Sequence, residues 1–441
     1  MISATGAARE QESQTQFVFA GVDVIESNDL QLTTGLAVPL QTGGSLDLTL
    51  DHINSETNDQ SDPLPTSTAD VFSVALVQPL LRGGWRRYAT AQQKESELFL
   101  ARQSEREREV RALVLLDVSN AYWNLVFAEQ ELDVRTLAVE LGKQQLSQDR
   151  RRLEVGAGTE VDVLQSETNV ANQEELRLRA DFNVRQARDN LRRLLAPRPE
   201  GSEAADHNEY LEAWDWPIET LTPLPEIDPT LAPVWTEVLE HAIESRPELA
   251  QRRLDIRTAE VELGRLHSLR LPQLDLSLSS RSVGFDGDPQ EAFDTALAWD
   301  FPSSAAALVF SLPIGNRSAR YAERSARSSL RSARLLYDRV ELDVLADVRA
   351  SVREVLYRRE SVSAATKSRD LAQRQLEAEE TRQEVGLSTT FQVLQFQEDL
   401  AQALSTEVAA KTAYAKALAQ LAHAEGSLGD GLEPATEGLV R

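Results

Sequence analysis

The chain of 441 residues contains no cysteine, which excludes disulfides, thiolate metal sites and cysteine nucleophiles. Its five histidines (His52, His207, His241, His267 and His423) are scattered, none at the helical spacing that lets two imidazoles grip one ion. No metal and no cofactor is expected. Lysine is scarce as well, so the 46 basic residues are nearly all arginine; set against 71 acids they leave a formal charge of -25. That charge disfavours nucleic acid as a partner, although an acidic surface also serves simply to keep a protein dispersed. No window approaches the ~18 to 20 apolar residues of a membrane helix, so any crossing of a membrane must be made by β-strands. The opening "MISATGAAREQESQTQ" lacks the basic region and apolar run of a secretory signal peptide. Glycine (20) and proline (17) are few and clustered, and the long stretches without either are rich in Ala, Leu, Glu, Gln and Arg, the residues that lose least on entering a helix. The acids follow solvated helix faces and no Ser, His or Lys constellation converges in sequence. No catalytic residue and no enzymatic activity is expected.

What is present is a repeat. "EVGAGTEVDVLQ" at residues 154–165 and "EVGLSTTFQVLQ" at residues 384–395 agree at seven of twelve positions with a constant offset of 230. Upstream, "VQPLLRGGWRRYA" resembles "SLPIGNRSARYA", with Pro79 matching Pro313 at the point where strand passes into helix. The pattern predicts a duplicated strand-helix-turn-helix unit. Residues 85–153 and 316–385 form the long helices, and residues 159–196 and 387–425 the shorter returning arms. Gly156 and Gly386 suit the left-handed residue that ends a helix, and Thr159 and Thr389 suit the cap that opens the next. One such turn is only a good helical hairpin; two copies that also keep the following V-L-Q suggest that the tip surface is used. Val118, Ala121, Leu125, Ala128 and Leu132 follow a coiled-coil spacing, which Tyr122 and Val126 widen toward a second neighbour.

Alternation in "SLDLTLDHIN", "LDLSLSS" and "ALVFSLP" predicts strands with one apolar face. It fits transmembrane barrel strands, and equally a small soluble sheet. By parity, residues 45–54 and 30–39 run in opposite directions and join at "QTGG". Residues 197–234 hold most of a stretch with seven of the seventeen prolines, so they are read as a linker wrapping the helices.

These motifs in this order, together with "NAYWNLVFAEQEL" and "AIESRPEL", resemble the TolC family of outer-membrane efflux and secretion channels across residues 30–428. The resemblance implies a mainly α fold with a β-barrel portion: a homotrimer whose strands cross the outer membrane of a Gram-negative cell and whose helical hairpins form an α-barrel through the periplasm. It implies a passive conduit in a tripartite efflux or type I secretion system, with a periplasmic adaptor and an inner-membrane transporter as partners. The adaptor-binding tips would be Val155, Gly156, Ala157, Gly158 and Thr159, with Val385, Gly386, Leu387, Ser388 and Thr389. A channel constriction would fall at Asp162, Gln392 and Gln395, two of which carry no charge. A soluble coiled-coil scaffold with a small β cap is the alternative.

The domain reading is then an irregular segment at 1–29, a first repeat at 30–196, the Pro-rich linker at 197–234, a second repeat at 235–425 and a flexible tail at 426–441. Residues 235–270 read as a helix stacked end to end on residues 159–196. No counterpart precedes the first strands, so the sequence is expected to begin downstream of an export signal and a first helix.

Overall fold

The structure, a computed structural model, describes residues 1–14, 22, 24–59, 61–195, 218–227 and 233–429. It divides into two compact units, one of Met1–Arg102 with Arg252–Leu336 and one of Gln103–Gln251 with Tyr337–Arg441.

The first unit is built on a six-stranded antiparallel sheet in simple chain order: β1 (Ile2–Gln14), β2 (Val24–Pro39), β3 (Ser45–Thr57), β4 (Thr66–Pro79), β5 (Gln273–Asp286) and β6 (Pro302–Ser311). Because side chains alternate across a strand, register decides which residues share a face. One row across the sheet reads Val38, Leu46, Leu76, Leu278, Ala306, and the adjacent row on the other face reads Ala37, Asp47, Ala75, Ser279, Ala305. The sheet therefore has a leucine-rich face and a small, polar one. β2 and β3 run oppositely as parity requires, and residues 40–44 close their turn through Leu40 N–H to Gly44 O (2.8 Å), with Gly43 at φ 90°.

Two features of this unit differ from expectation. Residues 2–14, expected to be irregular, form β1; it is exposed along its whole length and adds to β2 by backbone bonds alone, so no apolar period announces it. Between β5 and β6 the chain also makes a short helix, Pro289–Ala298, capped by Asp288 accepting from the Gln290 N–H. It buries Ala292 and Ala296 against the sheet at Gly284, where any Cβ would lie 1.8 Å from the Ala292 oxygen.

After β4 come one helical turn, α1 (Arg86–Ala89), and the long α2 (Ala91–Glu154); α3 (Glu160–Leu195) returns. The second half supplies α4 (Trp235–Ser245) and α5 (Pro247–Ser268) before β5. The short helix between β5 and β6 is α6, and α7 (Arg317–Glu384) and α8 (Thr390–Glu425) follow β6. Both long helices are unbroken: neither contains Pro, α7 contains no Gly, and the single glycine of α2, Gly142, does not interrupt it. At 1.5 Å per residue they are each about 100 Å long. Their strand-to-helix junctions share a device. Pro79 and Pro313 stand at the strand ends, and each is followed by two left-handed residues, Gly83 and Trp85 in one junction and Gly315 and Asn316 in the other.

In the second unit the predicted seam is the core. Ala121, Leu125 and Ala128 of α2 pack on Val184 and Leu191 of α3, with Val118, Tyr122 and Leu132 at the margins. Further along, Val134 and Ala138 of α2 meet Ala401 of α8, so α2 does serve two neighbours. Val355, Val362 and Ala365 of α7 pack on Ala410, Tyr414 and Ala417 of α8. Most of these side chains are small, which lets helices approach closely. Residues 218–227, the described part of the linker, reach from Ile218 on the α2–α3 cluster to Ile227 on the α7–α8 cluster. The rest of the linker and most of the tail fall outside the described residues.

One expected stacking is corrected. The end of α4 meets the end of α8, not of α3: Ser245 Oγ donates to Glu425 O (2.6 Å), and Ala424 joins Ala242, Leu249, Val344 and Val348 in one buried cluster. Helix length, which is similar for α3 and α8, does not distinguish the two partners; the bend at Arg246-Pro247 against Gly426 does.

Candidate functional site: the hairpin tips

The two repeated turns have the same build. At the first, Gly156 has φ 74°, its N–H bonds to Leu153 O (3.0 Å), and the Ala157 N–H reaches back to Arg152 O (2.7 Å). At the second, Gly386 has φ 77°, its N–H bonds to Gln383 O (3.0 Å), and the Leu387 N–H reaches Arg382 O (2.8 Å). Both are Schellman closures, in which a left-handed residue lets two N–H groups satisfy the orphan carbonyls of the preceding helix. Nothing lies within 4 Å of a Cβ placed on either glycine, so backbone conformation alone demands glycine there.

Each returning helix then opens with a reciprocal cap. Thr389 Oγ1 accepts from the Gln392 N–H (3.4 Å) while Gln392 Oε1 accepts from the Thr389 N–H (3.3 Å). In the first tip Asp162 takes the place of Gln392, accepting from the Thr159 N–H (2.9 Å) and donating its own N–H to Thr159 Oγ1 (3.2 Å). Two of the three residues expected at a constriction thus have a local task as capping-box partners. Gln395, the third, is exposed and bonds to Asp399 (3.3 Å).

The tips present apolar side chains to solvent. Val155 is 78% exposed, Val385 65% and Leu387 71%. Val161 and Phe391, one turn into the return helices and related by the same offset of 230, are each 61% exposed. These last two extend the predicted patch, and the offset was the signal for them.

Below the patch, buried polar groups tie one hairpin to the other. Asp149, only 2% exposed, accepts from Ser166 Oγ (2.6 Å), Thr390 Oγ1 (2.9 Å) and Gln145 Nε2 (3.0 Å), and Gln383 Nε2 donates on to Thr390 Oγ1 (3.3 Å). Residues 145–166 belong to the first hairpin and 383–390 to the second. A carboxylate so enclosed is tolerable because donors surround it. Its offset partner Glu379 is also buried, accepting from Ser388 Oγ (2.5 Å) and Arg382 (3.1 Å). Burial, reinforced by Glu377 and Glu384, pushes the neighbouring Glu380 carboxyl up. Sequence reasoning missed this network, since polar residues on a helix read as solvated until the partner helix is known.

Among the described residues there is no group of three His, Asp or Glu placed to hold a metal, and no helix is long and apolar enough to cross a membrane. What the site offers is a pair of matched hairpin turns with exposed apolar side chains at their tips. The family model of the outer membrane efflux proteins matches residues 44–196 and 238–427. The chain belongs to the outer membrane efflux protein family. It is therefore an outer-membrane channel protein for efflux, in a family of channels and not of enzymes. No curated protein sequence matches it. Solved channels share its fold at low identity. The CmeC outer membrane channel of Campylobacter jejuni is 15% identical over 97% of this chain and 78% of its own, with a TM-score of 0.63. The outer membrane protein VceC of Vibrio cholerae is 16% identical over 97% and 87%, with a TM-score of 0.61. The MtrE outer membrane channel of Neisseria gonorrhoeae, solved in its open state, is 16% identical over 97% and 81%, with a TM-score of 0.60.

Proposed function

We propose that three copies of this outer membrane efflux protein form a passive conduit in a Gram-negative cell, with the sheets closed into a barrel in the outer membrane and the duplicated helical hairpins arranged as an α-barrel in the periplasm. The tips at residues 155–159 and 385–389 receive a periplasmic adaptor, itself coupled to an inner-membrane transporter, in a tripartite efflux or type I secretion assembly. Asp162, Gln392 and Gln395 line the narrowing behind the tips, where one acid per chain makes a weakly charged ring.

The observation that carries this reading is the equivalence of the two tips, from Schellman turn to capping box to exposed apolar residue. A merely structural turn has no need of Val155, Val385, Leu387 and Phe391 in solvent, whereas a ring of repeated docking points does. Closure of the sheet is supported by its edges. Among the described residues β1 and β6 are unpaired on their outer sides, and β6 exposes Leu308, Val309 and Phe310, an edge that native proteins normally cover or pair.

The test uses Leu387→Asp. The side chain is exposed, so the fold should survive, while a charge must be desolvated wherever the adaptor covers it. We expect normal abundance and normal melting, but export and adaptor cross-linking reduced by about tenfold or more, the effect of losing ~1.4 kcal/mol of binding. Unchanged export and cross-linking would show that the tip is only a turn.

A further inference from the structure

The two rims of the six-stranded sheet carry opposite charge. At the rim from which the helices leave, the connecting segments interlock: the Trp85 N–H donates to Thr42 O (2.7 Å), the Arg82 N–H to Pro272 O (3.2 Å), and Asn316 Nδ2 to Arg270 O (3.3 Å). The segments that meet there, residues 40–44, 80–90, 269–272 and 312–322, hold Arg82, Arg86, Arg87, Arg270, Arg317 and Arg320, all exposed, and no acid. At the far rim, residues 58–65 and 286–301 hold seven acids, Asp59 and Asp62 in the first and five more in the second, with no Lys or Arg. In a chain of net charge -25, six cations on segments that carry no acid, with the buried Glu323 their one acidic partner among the described residues, need a reason beyond solubility.

The arginines find little use for their charge within the molecule. Arg270 is paired with the buried Glu323, while Arg82, Arg86, Arg87, Arg317 and Arg320 have no acidic partner among the described residues. Among them stand apolar and amphipathic side chains turned outward. Ile314 is fully exposed, Trp85 is 66% and Tyr321 64% exposed. Trp85 adopts φ 71°, rare for such a residue, and its Nε1 donates to Leu80 O (3.1 Å). The leucine-rich face of the sheet runs into this rim through Val38, Leu46, Leu76 and Leu276. Indole, phenol and guanidinium bordering an apolar β surface is the composition of a membrane-water boundary, and guanidinium matches phosphate oxygens by paired hydrogen bonds.

We propose that this rim docks onto the phosphate layer of the phospholipid leaflet on the helix side of the membrane. Arg82, Arg86, Arg87, Arg317 and Arg320 bind the phosphates of anionic phospholipid, and Trp85, Ile314 and Tyr321 lie at the acyl boundary. The acidic rim is repelled by the same layer, so the charge pattern also sets which way the sheet faces. The proposal rests on the reading that the sheet crosses the outer membrane.

The full chain, reconstituted into phosphatidylethanolamine bilayers with and without phosphatidylglycerol, tests it. Native mass spectrometry counts the lipid retained by the wild type, by a variant with the five arginines changed to Gln, and by Asp59→Asn/Asp62→Asn. The wild type should retain phosphatidylglycerol over phosphatidylethanolamine by about fivefold or more, since one arginine near an anionic surface is already worth roughly that ratio. The five-Gln variant should lose the preference, the far-rim variant should keep it, and a five-Lys variant should keep most of it, separating charge from folding. Excess inorganic phosphate should not displace the lipid. Bilayer insertion with no lipid preference, or equal preference in wild type and five-Gln variant, overturns the rim proposal alone. Displacement by inorganic phosphate also overturns it, marking a soluble-anion site instead. Failure of the wild type to insert overturns the membrane reading and the rim proposal together.

Discussion

At the scale of single residues, glycine conformation decides the tips. Gly386 sits at φ 77° in open space, so a side chain there meets no clash but forces an L-residue into the left-handed region, at about 1–2 kcal/mol. Gly264, inside α5, also has open space but ordinary helical φ. Gly386→Val should therefore lower the melting temperature and Gly264→Ala should raise it, by about 0.5–1 kcal/mol in the latter case; melts that move in the same direction would remove backbone strain as the cause. Glu323 offers a test by pH. Its carboxyl is held down at about 2, from the usual 4.5, by Arg270 first and then by His267 and Arg327. Because the folded value is depressed, its contribution is complete above about 4.5 and fades as pH falls toward about 2. The gap in melting temperature between the wild type and Glu323→Gln should be wide at neutral pH and narrow in acid, and a gap independent of pH would contradict the assignment. The tip glycines were legible in sequence because Gly has few other reasons to recur at a fixed offset. Glu323 was not, since two of its partners, His267 and Arg270, lie more than fifty residues back in the chain.

Among elements, the long helices and their turns followed directly from sequence. Uninterrupted Ala, Leu, Glu, Gln and Arg leave little but helix, and the Val118 to Leu132 seam is buried as its spacing predicts. Strand alternation gave β3, β5 and β6 through an apolar period of two, and parity with the turn at "QTGG" gave β2. β1 has no such period, and the helix at Pro289–Ala298 is too short to show one; both depend on a neighbouring backbone to exist. The choice of α8 over α3 as the partner of α4 was likewise invisible, because a stack depends on a bend and not on helix length. Asp149 shows the same limit for the site. Its sequence is that of any helical acid, yet it holds α2 to both return helices. Asp149→Ala should leave buried Ser166, Thr390 and Gln145 donors unsatisfied, destabilising the second unit by about 1–3 kcal/mol or more. Hydrogen exchange should quicken in residues 145–166 and 383–400 ahead of the rest of that unit. Uniform exchange across the unit would mean that the network does not tie the hairpins.

For the whole molecule, the governing fact is that its unsatisfied surfaces are of three kinds in three places: free strand edges, apolar hairpin tips, and a sheet with one leucine-rich face. A soluble scaffold leaves the strand edges and the leucine-rich face unexplained, whereas a channel uses all three. The most direct measurement is single-channel recording from the detergent-purified protein added to a planar lipid bilayer. The account predicts stepwise, long-lived ion conductance from a trimeric species, with Leu387→Asp conducting as the wild type does because its defect lies in adaptor docking. A protein that stays soluble without detergent and leaves the bilayer silent would contradict it.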